Sequence, residues 1–183
     1  MKQASICVFC GSRVGTHPDY EHAAREFGER FAKNNWRLVY GAGDVGLMGA
    51  IARAAQTGGA DTFGVIPTHL LKKEVGKTDL TRFVVTENMH ERKKVMFMNS
   101  DAVVILPGGP GTMDEFFEVL TWRQLGLHDK PVFLLNIDDY WQPLLQLLNS
   151  ICDKEFADKS LLSYFSVVSD VDSLEEQLVQ SLG

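Results

Sequence analysis

Three cysteines are too few, and odd in number, for a disulfide framework. Cys7 and Cys10 have redox-motif spacing, yet they fall in the apolar run Ile6-Cys7-Val8-Phe9-Cys10, where strand alternation sends them to opposite faces. Packing is the expected use for both. The five histidines include no pair four apart on a helix, so zinc is not indicated and no metal is expected. No apolar run is long enough to span a membrane, and Lys2 is not followed by the apolar core of a signal peptide, so a cytoplasmic protein without a membrane partner is expected. The net charge of -6 lacks the basic excess that nucleic-acid binding requires. Low-complexity tracts, internal repeats and linkers are absent as well. With 183 residues, 45% of them hydrophobic, the expectation is a single domain over 1–183 with one sizeable core.

What is present is a regular alternation of strand and helix signals. Strands are expected at Ser5 to Cys10, Trp36 to Tyr40, Asp61 to Ile66, Arg82 to Thr86, Ala102 to Leu106, Pro131 to Asn136 and Phe165 to Val168. Helices are expected at Pro18 to Asn34, Leu47 to Thr57, Asn88 to Asn99, Thr112 to Leu125, Tyr140 to Asp153 and Leu174 to Leu182. This is the pattern of a doubly wound, Rossmann-like α/β fold: a parallel sheet with helices on both faces. Pro67 to Thr81 is the one long irregular connection, and such a loop in a compact domain often belongs to a site.

Ligands of open α/β sheets bind beyond the carboxyl ends of the strands, and three loops at those ends are rich in glycine. They are Cys10-Gly11-Ser12-Arg13, the run Gly41-Ala42-Gly43-Asp44-Val45-Gly46-Leu47-Met48-Gly49, and Pro107-Gly108-Gly109-Pro110-Gly111-Thr112. The second matches the dinucleotide fingerprint G-x-G-x-x-G, which keeps a dinucleotide-dependent oxidoreductase open as a rival. Against it, the next strand ends Val65-Ile66-Pro67-Thr68 without the acid that should hold a ribose hydroxyl, and Asp61 lies at the strand's opposite end.

The third loop joins an apolar strand to a helix, so its backbone N–H groups and the helix dipole favour an anion such as phosphate. Pro110 supplies no N–H, leaving Gly109, Gly111, Thr112 and Met113 as donors. Glu115 then has two open readings. Thr112-Met113-Asp114-Glu115 fits a capping box, with Glu115 reaching back to Thr112. The glycines before it favour a catalytic carboxylate instead. Near the start of another helix, Asn88-Met89-His90-Glu91-Arg92-Lys93-Lys94 places basic residues where the macrodipole disfavours them, a cost that an anionic ligand offsets. Arg92 can hold phosphate or ribose oxygens bidentately and Lys93 can act as a point charge, while Glu91 and Lys94 suit a solvated pair.

Met89-His90-Glu91-Arg92-Lys93 and Pro107-Gly108-Gly109-x-Gly111-Thr112-x-x-Glu115, with Val8-Phe9-Cys10-Gly11-Ser12 and Gly46-Leu47-Met48-Gly49, resemble the Lonely Guy family in sequence and order. The similarity runs from about Ile6 to Asn136. It implies a cytokinin riboside 5'-monophosphate phosphoribohydrolase, often labelled a possible lysine decarboxylase. The implied reaction hydrolyses the N-glycosidic bond of a purine nucleoside 5'-monophosphate, AMP or an N6-substituted AMP, to free base and ribose 5-phosphate without a cofactor. The resemblance makes Arg92 and Glu115 the catalytic pair. It makes Lys93, Gly108, Gly109, Pro110, Gly111, Thr112, Met113, Asp114 and Thr121 nucleotide-binding positions, and Glu74 a further substrate-binding acid. Gly11, Ser12, Gly43 and Met89 complete the candidate substrate-binding set. A homodimer is implied too, and Met96, Phe97 and Met98, spread around one helix, suit burial against a core, a partner, or both. Ala42 departs from the family's triple glycine and is expected to narrow the room for a ligand. A nucleotide-binding regulatory module without turnover remains the alternative. Lysine decarboxylation would need a Schiff-base lysine with pyridoxal phosphate, and nothing marks one.

Overall fold

Short β-branched runs, apolar on both sides, can be buried only in a sheet covered on both faces, and the computed structural model shows such a sheet. It describes residues 3–71 and 79–183. In chain order the elements are β1 (Ser5–Phe9), α1 (Pro18–Lys33), β2 (Arg37–Tyr40), α2 (Gly46–Thr57), β3 (Thr62–Pro67), β4 (Arg82–Thr86), α3 (Met89–Met98), β5 (Ala102–Ile105), α4 (Pro110–Gln124), β6 (Val132–Leu135), α5 (Gln142–Asp153), β7 (Ser166–Val168) and α6 (Val171–Leu182). Two 3-10 turns, Ile137–Asp139 and Lys159–Ser163, flank α5.

All neighbouring strands pair in parallel, in the order β4-β3-β2-β1-β5-β6-β7. The chain builds outward from β1 to β4 and then returns to lay β5 on the other side of β1. Cys7 consequently pairs with Val39 on one side and Val103 on the other. The crevice between the loops after β1 and β5 is the switch point of this doubly wound sheet, where a ligand site is expected.

Side-chain alternation divides the core into two layers. Ile6, Val8 and Leu38 pack with Phe27 of α1, Ile51 of α2 and Leu178 of α6. Cys7, Phe9 and Val103 face Met96 of α3, Phe116 of α4 and Leu148 of α5. Cys7 and Cys10 thus lie on opposite faces, as strand geometry requires, and all three cysteines are free and buried. Gly28 lets α1 and α2 approach closely, because a Cβ there would lie 2.6 Å from the Ile51 carbonyl oxygen. Arg30 ties α1 to α6 through Asp172 at 2.9 Å and Glu175 at 3.0 Å.

Every element boundary but the start of α6 falls within two residues of the sequence expectation, and the larger offsets have local causes. Helix α4 begins at Pro110, with Gly109 at its N-cap, because proline is favoured at the first helical position. The Thr112–Glu115 capping box therefore does not form: Thr112 is already the third residue of the helix. Helix α6 starts three residues before Leu174, since the Asp170 carboxylate caps it by accepting the Ser173 N–H at 2.7 Å. Helix α5 starts at Gln142, behind the 3-10 turn. No helix among the described residues is long and apolar enough to cross a membrane.

Candidate active site at the switch point

Gly11 joins the loops that build the cleft. Its N–H donates to the Pro107 carbonyl at 3.0 Å, and its own carbonyl accepts the Leu47 N–H at 3.1 Å, so the loop after β1 holds both the loop after β5 and the start of α2. Gly108 packs so closely beneath that a Cβ would strike the Thr112 hydroxyl and lie 2.9 Å from the Gly11 nitrogen. Gly109 and Gly111 differ: a Cβ on either would meet nothing within 4 Å. Packing does not require glycine at these two positions.

Together these loops border a cavity of about 220 Å³. Ser12, Met89, Arg92, Gly109, Gly111 and Glu115 line it, so residues 103 positions apart in sequence share one surface. Gly11, Pro110 and Thr112, also expected from sequence, complete the glycine-loop wall. The Met113 N–H is spent, because it donates to the Gly109 carbonyl at 3.1 Å as the first bond of α4. The donors of the loop are therefore those of Gly109, Gly111 and Thr112, rather than the four expected from sequence.

Glu115 stands on the sixth residue of α4, half-buried at the cleft wall. Its charge is felt beneath it. Burial first, and the Glu115 carboxylate second, push the Cys10 thiol well above its ordinary range, while Arg92 opposes the shift. Cys7 is raised by the same two causes in the same order. Both thiols are thus protonated and inert at neutral pH, which removes the redox reading.

Arg92 is buried, and its guanidinium is fastened to the scaffold. Nε donates to the Val65 carbonyl at 3.0 Å and Nη2 to the Gly41 carbonyl at 2.6 Å. The edge formed by those two nitrogens is committed to β3 and to the end of β2. A Cβ at position 41 would strike Nη2, so a side chain there would push the guanidinium off this anchorage. Lys93, one residue on, turns away from the cleft. Its ammonium lies 2.8 Å from Asp114 and 2.7 Å from Glu118, fastening α3 to α4. Burial works against that charge, but the two carboxylates outweigh it and hold the ammonium above its ordinary value.

The other expected residues fall around this centre. Gly43 is buried off the cavity, and Asp114 is engaged by Lys93. Gly108 lines a second depression of about 500 Å³ that shares Gly11, Ser12, Gly109 and Pro110 with the first. Met113 and Thr121 are exposed on α4 and do not line the cavity. Glu74 lies outside the described residues. Ala42 leaves the cleft alone: it is fully buried with a φ of 58° and packs toward Gly64, so the expected narrowing does not occur. Glu91 accepts the Glu87 N–H at 2.9 Å while Asn88 caps α3, a role within the helix start.

Sequence reasoning passed over Cys10, Gly41, Met48, Leu70 and Met96, which also line the cavity. Two of them carried a signal. Gly41 follows the last residue of a strand, and Met96 lies seven residues after Met89 and four after Arg92, on one helical face. The dinucleotide fingerprint has a packing explanation. Gly46, at φ +61°, is pressed against Ser12 and Arg13, and Gly49 against the Asp44 carbonyl. Asp61, whose carbonyl accepts the Leu38 N–H at 2.9 Å, sits at the start of β3 and so at the sheet edge opposite the cleft. Among the described residues, no cluster of three His, Cys, Asp or Glu side chains could hold a metal ion.

Comparison with known proteins yields a consistent picture. Residues 48–178 match the family described as "Possible lysine decarboxylase". The chain is 40% identical over 177 residues to "Probable cytokinin riboside 5'-monophosphate phosphoribohydrolase LOG4" of Oryza sativa subsp. japonica, covering 97% of this chain and 77% of that protein. Against "Cytokinin riboside 5'-monophosphate phosphoribohydrolase LOG1" of Arabidopsis thaliana it is 44% identical over 151 residues, covering 82% and 71%. Against the probable phosphoribohydrolase LOGL1 of the same rice it is 47% identical, covering 79% of this chain and 65% of that one. Among solved structures, the molybdenum cofactor carrier protein of Chlamydomonas reinhardtii superposes with a TM-score of 0.76 at 23% identity, covering 99% of each chain, a likeness of fold alone.

Proposed function

This chain belongs to the Lonely Guy family of phosphoribohydrolases, and from that premise we propose that it hydrolyses the N-glycosidic bond of purine nucleoside 5'-monophosphates, releasing the base and ribose 5-phosphate. The observation that carries the reading is the placement of Glu115 in the same small cavity as the first residues of α4. A phosphate received by the N–H groups of Gly109, Gly111 and Thr112 would sit at the positive end of the helix dipole. The attached ribose would then lie along the wall that carries Glu115. Breaking the bond from C1' to the base builds positive charge on the sugar ring. A carboxylate there stabilises the oxocarbenium-like transition state and orients or deprotonates the attacking water.

Arg92 presents its charge to the cleft while locking the β2 and β3 ends that border it. The cavity also has an apolar, sulfur-rich lining, to which Met48, Leu70, Met89 and Met96 contribute. Methionines adapt their shape to an apolar group, which favours an N6-alkylated AMP of the cytokinin type over AMP itself. Decarboxylation finds no support here. Lysine does not line the cavity among the described residues, and Lys93, held charged by two carboxylates, is the opposite of a Schiff-base nucleophile. Met98, Leu125 and Leu127, between 66% and 69% exposed at the ends of α3 and α4, support a homodimer. The free, buried thiols suit a reducing cytoplasm.

The test is release of free base from AMP and from N6-isopentenyl AMP by the purified protein. Glu115→Gln should lower kcat by roughly two to four orders of magnitude, the range for losing a general base, while nucleotide affinity persists. Glutamine keeps the length of the side chain and an oxygen that accepts hydrogen bonds, so the melting temperature should hold. Nucleotide binding without turnover by the wild type would make the protein a binding module instead.

A further inference from the structure

The Tyr140 hydroxyl donates to the Gly108 carbonyl at 2.5 Å, joining residues 32 apart in sequence. The ring does not need this bond to hold its place, because Tyr20 meets it edge-on at 5.6 Å and Trp141 at 4.8 Å. The bond acts on the other partner. The peptide between Gly108 and Gly109 is planar and trans, so its carbonyl and its N–H point in opposite directions. Holding the carbonyl to Tyr140 therefore aims the Gly109 N–H away from Tyr140. A peptide between two glycines is the least constrained kind by its own side chains, and nothing packs against the Cβ position of Gly109.

The loop can least spare this donor. Pro110 has no N–H, and that of Met113 is used inside α4, so Gly109 supplies one of three that remain. The turn that delivers Tyr140 is itself costly. Asp138 and Asp139 are successive non-glycine residues at φ 51° and 53°, a left-handed conformation that non-glycine residues rarely adopt twice in a row. Asn136 braces it, accepting the Trp141 N–H at 2.7 Å and donating to the Asp139 carboxylate at 3.3 Å. Strain retained beside a site loop is the pattern of a segment held for function.

We infer that Tyr140 is a positioning residue for the 5'-phosphate: by fixing the Gly108–Gly109 peptide it presets the Gly109 N–H toward the anion. The inference rests on the proposed reading of the loop as the phosphate site. Its test is Tyr140→Phe, which keeps the ring and removes only the hydroxyl. Ribose 5-phosphate titration, steady-state kinetics with N6-isopentenyl AMP, titration with the phosphate-free nucleoside and a thermal melt are measured side by side. The Kd for ribose 5-phosphate and the KM for the nucleotide should rise about tenfold, as expected for disordering one hydrogen bond to a charged group. Nucleoside affinity should stay the same, kcat should stay within about twofold and the melting temperature should hold. Equal ribose 5-phosphate affinity in variant and wild type would overturn the role of Tyr140 alone. Nucleoside and ribose 5-phosphate affinities falling together with the melting temperature would overturn it as well, by showing a purely structural bond. Failure of the wild type to bind ribose 5-phosphate would instead overturn the phosphate reading beneath it.

Discussion

Replacing Arg92 tests whether the guanidinium is part of the scaffold as well as of the cleft. The side chain is 5% exposed and donates from Nε to Val65 and from Nη2 to Gly41. Each such charge-assisted bond is worth about 1.5–3 kcal/mol, so Arg92→Ala forfeits about 3–6 kcal/mol before relaxation. The adjoining cavity admits water, which can satisfy part of what the two carbonyls lose, and about 2–4 kcal/mol is the expected net cost. For a chain of this size that lowers the melting temperature by roughly 4–16 °C. Arg92→Lys should recover about half of the loss, since a single ammonium without the planar fork reaches one carbonyl and not both. The assay is thermal denaturation alongside base release, with Glu115→Gln as the variant that loses turnover without losing stability. Both Arg92 variants melting within about 1 °C of the wild type would refute the reasoning, because the two bonds would then contribute nothing net.

The glycines of the third loop should divide by role. Gly109→Val, in open space with a φ of -88° that valine adopts readily, should melt like the wild type yet lose ribose 5-phosphate binding, whereas Gly108→Ala should lower the melting temperature by striking Thr112; full ligand binding by the Gly109 variant would remove that loop from the phosphate site. His128 should make stability depend on pH. Its Nε2 lies 2.9 Å from the Val119 carbonyl and so carries the proton, while the buried Nδ1 has no partner among the described residues. Burial, above all, holds the folded-state value below 6.5. The unfolded chain therefore binds a proton that the folded one resists: the stabilisation is fully present above pH 6.5 and declines as pH falls from there toward the lower folded value. Melts of the wild type between about pH 8 and pH 5 should fall more steeply than those of His128→Gln, and parallel curves would contradict the assignment.

The order of elements and the loops that border the cleft were legible in the sequence because they depend on local chemistry. Apolar, β-branched runs specify buried strands, glycine clusters mark the turns at their carboxyl ends, and strand alternation alone separates Cys7 from Cys10. The start of α4 was legible too, had Pro110 rather than Thr112 been taken as its first-turn marker. The partners of the charged side chains were not. Arg92 meets carbonyls 27 and 51 residues away, Lys93 meets carboxylates 21 and 25 residues away, and Tyr140 meets a carbonyl 32 residues away. No spacing rule reaches across such separations. They are decided when β5 is laid beside β1 and the helices close over the two faces, which sets the loops that become neighbours. Local periodicity thus determined which residues gather at the ligand edge of the sheet, and tertiary packing decided which of them hold the scaffold and which face the cleft, because a long polar side chain takes whichever partner the folded backbone brings within hydrogen-bond reach.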